Sequence, residues 1–347
     1  MRLPNQHNPL IALCVIAACT FLAACGARAT LAEFQGNTMG TTYLVKIADI
    51  PPSLDSDTLH AEIQAIFVRI NNQMSTYLES STLSRFNAGR ETDWFNVPME
   101  LVTVVQLARQ LSELTDGAFD VTVGPLVNLW GFGPEAASEQ PPHAEAIASA
   151  LQQTGYRKLD FRMNPPGLRK SSPDLYVDLS AIAKGYAVDQ VAEHLEQRGI
   201  SNYLVEIGGE LRGLGRNDRH VPWQVGIEKP VSGTRVVQQV ITIDGVSVAT
   251  SGDYRNYFEL EGRQYSHTID PKTGAPVTHA LASVTVVNPS ATYADALATG
   301  LMVLGPEAGY QLAEREGLAA LFIVRTEGDF TGQATPAFDR YSKERQS

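Results

Sequence analysis

Helix and strand periodicities follow one another along this chain without regular alternation, and that order limits the available folds more than any single residue does. Thr41 to Ile47 alternates as a strand does, and Leu59, Ile63, Ile66 and Ile70 then recur at helical spacing. A second helix opens with Pro98 at a first-turn position, carries Leu101, Val104, Val105, Ala108 and Leu111 on one face, and stops at Gly117. The run "LYVDLS" at 175–180 reads as a strand entering a helix, with Ile182, Tyr186, Asp189 and Ala192 along one row and Val188, Val191 and Leu195 along another, ending at Gly199. Strands dominate afterwards, at 203–207, 222–228, 235–243 and 246–250. "SVTVV" at 283–287 precedes a helix from about Ala294, another helix runs from Pro306 to near Gly317, and "AALFIV" is a last strand. A doubly wound sheet needs repeated βαβ units, so this order predicts an α+β architecture in one large mixed domain. The polar, Pro-rich stretches 133–143 and 162–174 read as excursions between elements.

The N-terminus is read apart from the fold. Leu10 to Ala24 is an apolar run broken only by Thr20 and preceded by Arg2, too short to span a bilayer comfortably and of signal-peptide proportions. "LAACG" at 22–26 resembles the lipobox of bacterial lipoproteins, cut before a cysteine whose thiol is acylated; a plain secretory leader that ends near a cysteine is the alternative. The lipobox reading makes 1–24 a signal peptide, Cys25 the lipidated N-terminus, 25–33 a short tether and 34–347 the domain. In the lipoprotein pattern Gly26, rather than an Asp, after the cysteine favours the periplasmic side of the outer membrane over the inner. Cys14 and Cys19 leave with the leader, so no disulfide or thiolate chemistry remains. Losing Arg2 leaves 26 basic against 38 acidic residues, a balance that argues against a nucleic-acid partner.

Several familiar sites are excluded by spacing. "GLGRND" and "GFGPEA" each lack a glycine of the dinucleotide fingerprint and do not sit between an early strand and a helix. "KTG" at 272–274 and the Ser180–Lys184 pair suggest a penicillin-binding type of hydrolase, but those two residues are four apart rather than three and no S-D-N follows. No two of the seven histidines pair at zinc-ligand spacing.

What remains lies at strand-to-helix junctions. In "VDLSAIAKGYA", Asp178 precedes a helix start at Ala181 with Lys184 a turn later, so a main-chain carbonyl and an ammonium can face one pocket. In "TYADALATGLMVLG", Asp295 and Thr299 share one face of a helix. A carboxylate, a hydroxyl and a carbonyl suit Mg²⁺ completed by water and substrate phosphates; an Asp in a first helical turn is equally ordinary dipole complementation. "SHTIDPKTGAPV" at 266–277 sets His267, Asp270 and Lys272 among turn formers, as a reactive loop or a plain connection would.

The ordered set "GNTMGTTY" at 36, "MSTYLESSTLSRFN" at 74, "GAFDVTVGPLVNLWGFG" at 117, "VDLSAIAKGYAVD" at 177, "EIGGELRGLG" at 206, "SHTIDPKTGAPV" at 266 and "ADALATGLMVLG" at 294 resembles the ApbE family, the FAD:protein FMN transferases. The resemblance implies an α+β domain of that family's type and a reaction in which FAD is cleaved between its phosphates. FMN is then joined through a phosphoester to a Thr or Ser hydroxyl of an acceptor flavoprotein, such as a membrane redox-complex subunit, and AMP is released. Carried over by motif, Met39 and Tyr77 would line the flavin site beside Ala118, Phe119 and Asp120. Asp178, Lys184 and Ile269 would hold the nucleotide, and the Ala181 carbonyl, Asp295 and Thr299 would bind Mg²⁺. His267 has an imidazole suited to take the proton of the incoming hydroxyl, or to pack against the cofactor without proton transfer. An FAD-binding lipoprotein without chemistry and an Mg²⁺-dependent FAD pyrophosphatase share most of these residues and stay open as alternatives.

Overall fold

The computed structural model describes residues 30–134, 140–231, 236–254, 257–260 and 263–342. The expected leader and Cys25 lie outside these residues. The alternating run at Thr41 forms strand β2 (Thr41–Ala48), paired antiparallel with β1 (Leu31–Thr38) through a two-residue turn. Met39 and Gly40 occupy that turn with φ of 51° and 74°, the doubly left-handed geometry whose twist suits a tight hairpin. Because β1 starts at Leu31, the last three residues of the expected tether are already in the ladder.

Six more strands continue the sheet: β3 (Tyr203–Ile207), β4 (Glu210–Leu214), β5 (Val246–Gly252), β6 (Leu281–Asn288), β7 (Ala319–Arg325) and β8 (Phe330–Ala334). Within this sheet neighbours in space are neighbours in chain order, and every pair is antiparallel. Helices therefore arrive as insertions rather than as crossovers, which is the α+β arrangement expected. Six of them lie between β2 and β3: α1 (Ser56–Met74), α2 (Thr82–Ala88), α3 (Met99–Leu114), α4 (Gly124–Leu129), α5 (Ala144–Gln153) and α6 (Ala183–Gln197). The seventh, α7 (Ala291–Arg315), joins β6 to β7.

The apolar stripes read from the sequence are the buried ones: Leu59, Ile63, Ile66 and Ile70 of α1, and Leu101, Val104, Val105, Ala108 and Leu111 of α3. Val188, Val191, Leu297 and Leu301 of α6 and α7 join Val45, Val205, Ala249, Val284 and Phe322 in the main core, so both helices cover one face of the sheet. On the other face a hairpin of Trp223–Glu228 with Val237–Ile243 lays Trp223, Ile241 and Ile243 against Leu211, Val248, Val287 and Leu321. Strand β6 is buried along nearly its whole length, its Ser283 and Thr285 included.

Four local expectations need correcting. "LYVDLS" is extended but forms no strand: Asn87 Nδ2 donates to the Val177 carbonyl at 2.8 Å, Asn87 Oδ1 accepts from Val177 N at 2.9 Å, and Asp178 N donates to the Val121 carbonyl at 2.7 Å. A side chain thus replaces a partner strand. The stretch 162–174 contains a strand, Pro166–Lys170, paired with Leu159–Met163. The helix expected near Ala294 begins at Ala291, where Ser290 Oγ accepts from Tyr293 N. The two helices expected there are one element broken by left-handed Gly305. Helices α2 and α4, of seven and six residues, carry too few turns for a period to show.

Candidate active site

Helices α6 and α7 meet at Gly185, where an added Cβ would lie 2.3 Å from the Ala291 carbonyl oxygen and 2.8 Å from Asp295 Cβ. Only glycine permits that approach. It brings the buried Asp295 over the start of α6, and Asp295 Oδ2 accepts from Gly185 N at 2.9 Å. The residue preceding α6, Ile182, has no side chain that can cap the helix, so the acceptor comes from the neighbouring helix. In a regular helix the Gly185 N–H would bond the Ala181 carbonyl. With it diverted, no backbone amide among the described residues outside regular elements donates to that carbonyl.

Ala181, Asp295 and Thr299 line one cavity of about 1540 Å³. Thr299 Oγ1 lies 3.0 Å from Ser251 Oγ on β5. Lys184 Nζ stands 3.0 Å from Glu210 Oε2 and 3.7 Å from Asp295 Oδ1. Burial opposes the Lys184 charge, but Asp295 and Glu210 outweigh it and hold its pKa above the ordinary lysine value. Glu210 moves the other way from most paired carboxylates: burial raises it, and the Asp295 charge adds to that against the pull of Lys184. Sequence reasoning missed both Ser251 and Glu210. A lone serine in a strand carries no spacing signal, and Glu210 lies inside "EIGGELRGLG" at no helical or strand spacing from Lys184 to mark it.

The cavity is also lined by Tyr77, on the loop between α1 and α2. Ser75 Oγ accepts from the amides of Tyr77 and Leu78, while the Ser75 carbonyl accepts from the hydroxyls of Ser81 and Ser84 at 2.6 and 3.0 Å. The Tyr77 side chain is 67% exposed, and partial burial together with the Asp178 charge raises its pKa. Asp178 Oδ1 accepts from Ser180 N and Ser180 Oγ. Ala118 and Phe119 are buried wall residues. Asp120 is buried as well, but its carboxylate serves the chain itself, accepting from Thr122 N, Thr122 Oγ1 and Tyr156 N at 2.7, 2.6 and 2.8 Å. Burial still raises its pKa despite those bonds.

Ile269 sits in a short hairpin, Ile269–Asp270 with Ala275–Pro276, which Trp130 Nε1 tethers through the Gly274 carbonyl at 2.8 Å. His267 precedes it on the cavity wall, edge-on to Phe132 with ring centroids 6.3 Å apart. Lys272 points elsewhere, to an ion pair with Asp116 at 2.7 Å. The structure thus brings Tyr77, Ala118, Phe119, Asp120, Asp178, Ala181, Lys184, His267, Ile269, Asp295 and Thr299 onto one cavity. Met39 is not on that wall: its side chain packs on the main core, and Gln35, Gly36, Asn37 and Thr42 around the same turn line the cavity instead.

Charge decides what such a cavity can hold. Asp120, Asp178, Glu206, Glu210, Glu228 and Asp295 line it, and Lys184 is its one lysine or arginine among the described residues. A diphosphate placed there needs further positive charge. Among the described residues no three His, Cys, Asp or Glu side chains group as a metal site. The donors on offer, one carboxylate, one hydroxyl and one carbonyl, are hard and few, and fit a Mg²⁺ that keeps waters and takes phosphate oxygens.

The family model for ApbE matches residues 39–322. The chain belongs to the ApbE family. An FAD:protein FMN transferase of Vibrio cholerae is 48% identical over 333 residues, covering 96% of this chain and 98% of the relative. One from Haemophilus influenzae is 46% identical over 93% of this chain and 94% of its own length. Among solved structures, the flavin transferase ApbE from Vibrio cholerae superposes with a TM-score of 0.84 at 47% identity, covering 90% of this chain and 99% of that one. The flavinyl transferase ApbE of Pseudomonas stutzeri, in its apo form, gives 0.84 at 44% identity over 91% and 98%. The antiparallel sheet and helices described above are thus the ApbE fold in a single domain.

Proposed function

We propose that this ApbE protein is an FAD:protein FMN transferase that, with Mg²⁺ bound, moves FMN from FAD to a Thr or Ser hydroxyl of an acceptor protein, forming a phosphoester and releasing AMP. The names of relatives matched along nearly their whole length support the transferase activity. The observation that carries the finer reading is the α6–α7 junction, where a carbonyl released from its helix partner, a buried carboxylate and a hydroxyl share a cavity whose wall is otherwise acidic.

In this reading Ala181, Asp295 and Thr299 hold the metal. When bound, Mg²⁺ would neutralise the diphosphate and align the displacement. Lys184 supplies a fixed positive charge, kept protonated by Asp295 and Glu210. Tyr77, Ala118 and Phe119 offer apolar and aromatic surface to the flavin, and Asp178 and Ile269 bound the nucleotide. His267 accepts the proton of the incoming hydroxyl, a task its place on the same wall supports.

Incubation of the protein with FAD and Mg²⁺, with and without an acceptor flavoprotein, tests the reading. Transfer yields AMP and an acceptor heavier by one FMN. AMP and free FMN without acceptor labelling would instead mark a pyrophosphatase, and unchanged FAD a binding protein. We also propose that Cys25 is the lipidated N-terminus on the periplasmic side of the outer membrane, a reading supported by "LAACG". Cys25→Ser should release the protein from the membrane fraction or leave it unprocessed; a variant cleaved at the same site and still sedimenting with membranes would rule out the anchor.

A further inference from the structure

Asp189, on α6, is buried and accepts five hydrogen bonds. Its Oδ2 takes Ser290 Oγ at 2.8 Å, Thr292 N at 2.9 Å and Thr292 Oγ1 at 2.7 Å. Its Oδ1 takes Ala291 N at 2.9 Å and Arg212 Nη1 at 3.1 Å. Four of the five donors belong to the cap or first turn of α7. The fifth ties the cluster to β4, and Arg212 Nη2 continues it to Glu196 at 2.9 Å.

Asp295 lies three residues beyond Thr292 on the same helix, and Thr299 a turn further. A helix is stiff, rising 1.5 Å per residue, so a slip of its first turn moves both side chains together. One Asp295 oxygen is committed to Gly185 N, and the direction of the other follows from where α7 starts along α6. We propose that Asp189 is a positioning residue for the metal site. Its grip on the first turn of α7 sets how far the Asp295 carboxylate and the Thr299 hydroxyl stand from the Ala181 carbonyl. The inference rests on the Mg²⁺ reading above. It extends to a distant carboxylate the rule that groups bonded around metal ligands tune affinity, with losses of about 10- to 100-fold when they are removed.

Asp189→Asn preserves shape but turns an amide toward donors. In the full chain without FAD, titration with Mn²⁺ alone, read by EPR, should show affinity about 10- to 100-fold weaker than wild type, with Mg²⁺ competing proportionally more weakly. The Mg²⁺ concentration giving half-maximal FMN transfer should rise by a similar factor, while the rate at saturating Mg²⁺ recovers to within a few-fold. A lower unfolding temperature with unchanged Mn²⁺ affinity would overturn the inference and leave Asp189 a purely structural cap. Should Asp189→Asn fail to fold, Thr292→Val removes one donor and leaves the carboxylate; a folded Thr292→Val with wild-type Mn²⁺ affinity overturns the inference equally. If wild type itself binds neither Mn²⁺ nor Mg²⁺, with or without FAD, the metal reading falls and takes this inference with it. Wild-type binding with unaltered variants defeats the inference alone.

Discussion

Asp189 of α6 and Asp295 of α7 each bind the first turn of the other's helix: Asp189 accepts from the amides of Ala291 and Thr292, and Asp295 from that of Gly185. Both helices thus begin at one place, where each N-terminus carries about half a positive charge and the two would repel. Exchanged carboxylates offset that repulsion and satisfy amides that neither helix can bond internally. The arrangement also accounts for an acidic residue, Asp295, with one oxygen held and one directed at the cavity side, near Lys184.

Removing Asp295 should therefore affect folding, through the Gly185 amide it leaves unpaired, as well as chemistry. Asp295→Ala is expected to lower FMN transfer by about 10³-fold or more, since the metal's charge stabilisation is worth several kcal/mol. Thr299→Ala, which deletes a neutral ligand, should lower it by about tenfold. Rates measured across a Mg²⁺ titration decide the matter: an Asp295→Ala enzyme equal to wild type at saturating Mg²⁺ has no metal ligand at that position.

Replacing His267 separates proton transfer from packing. If it accepts the hydroxyl proton, His267→Asn should reduce single-turnover transfer by roughly 10² to 10⁴ while FAD affinity changes little. Weakened FAD binding with saturated turnover nearly intact would assign the ring to packing, beside Phe132.

Lys170 is a stability prediction. Its buried ammonium donates to the carbonyls of Phe86 and Asn87, each at 3.2 Å, and of Gly89, closing the C-terminal end of α2, and burial lowers its pKa. Lys170→Met retains the stem and leaves three carbonyls without their donor, so unfolding free energy in urea should fall by about 1–3 kcal/mol. Asn87, which holds Val177 next to Asp178, would loosen with it. An unchanged urea midpoint would mean that water replaces the ammonium without loss.

Glu210 sets a pH dependence. Burial first, then the Asp295 charge, push it up to about 7 from an ordinary 4.5. A carboxyl raised in the folded state contributes stability that is complete below its unfolded value and is lost as the pH rises through its folded value. Between pH 5 and pH 8 the urea midpoint of wild type should therefore fall further than that of Glu210→Gln, which cannot titrate. Equal falls would show that Lys184 keeps Glu210 ionised throughout.

The stripes of α1 and α3, the strand at Thr41 and the junction of Asp295 with Thr299 were legible because each is a local rule: side chains one turn apart share a face, and alternate residues share a side of a strand. The same locality explains the errors. "LYVDLS" has a strand's composition, yet whether an extended segment joins a ladder depends on which partner reaches it, and here the partner is Asn87, ninety positions away. Met39 matched its motif, but its place in a left-handed turn directs the side chain to the core. No spacing rule could connect Asp189 with Thr292, or Lys184 with Glu210.

The linear order by itself determined the mixed class of fold, the helical stripes and the pairing of types at the candidate site. Tertiary structure alone decided which carboxylate meets which amide. That outcome turns on a close approach at Gly185, and such an approach depends on the volume of side chains from both helices at once, a quantity no single segment contains.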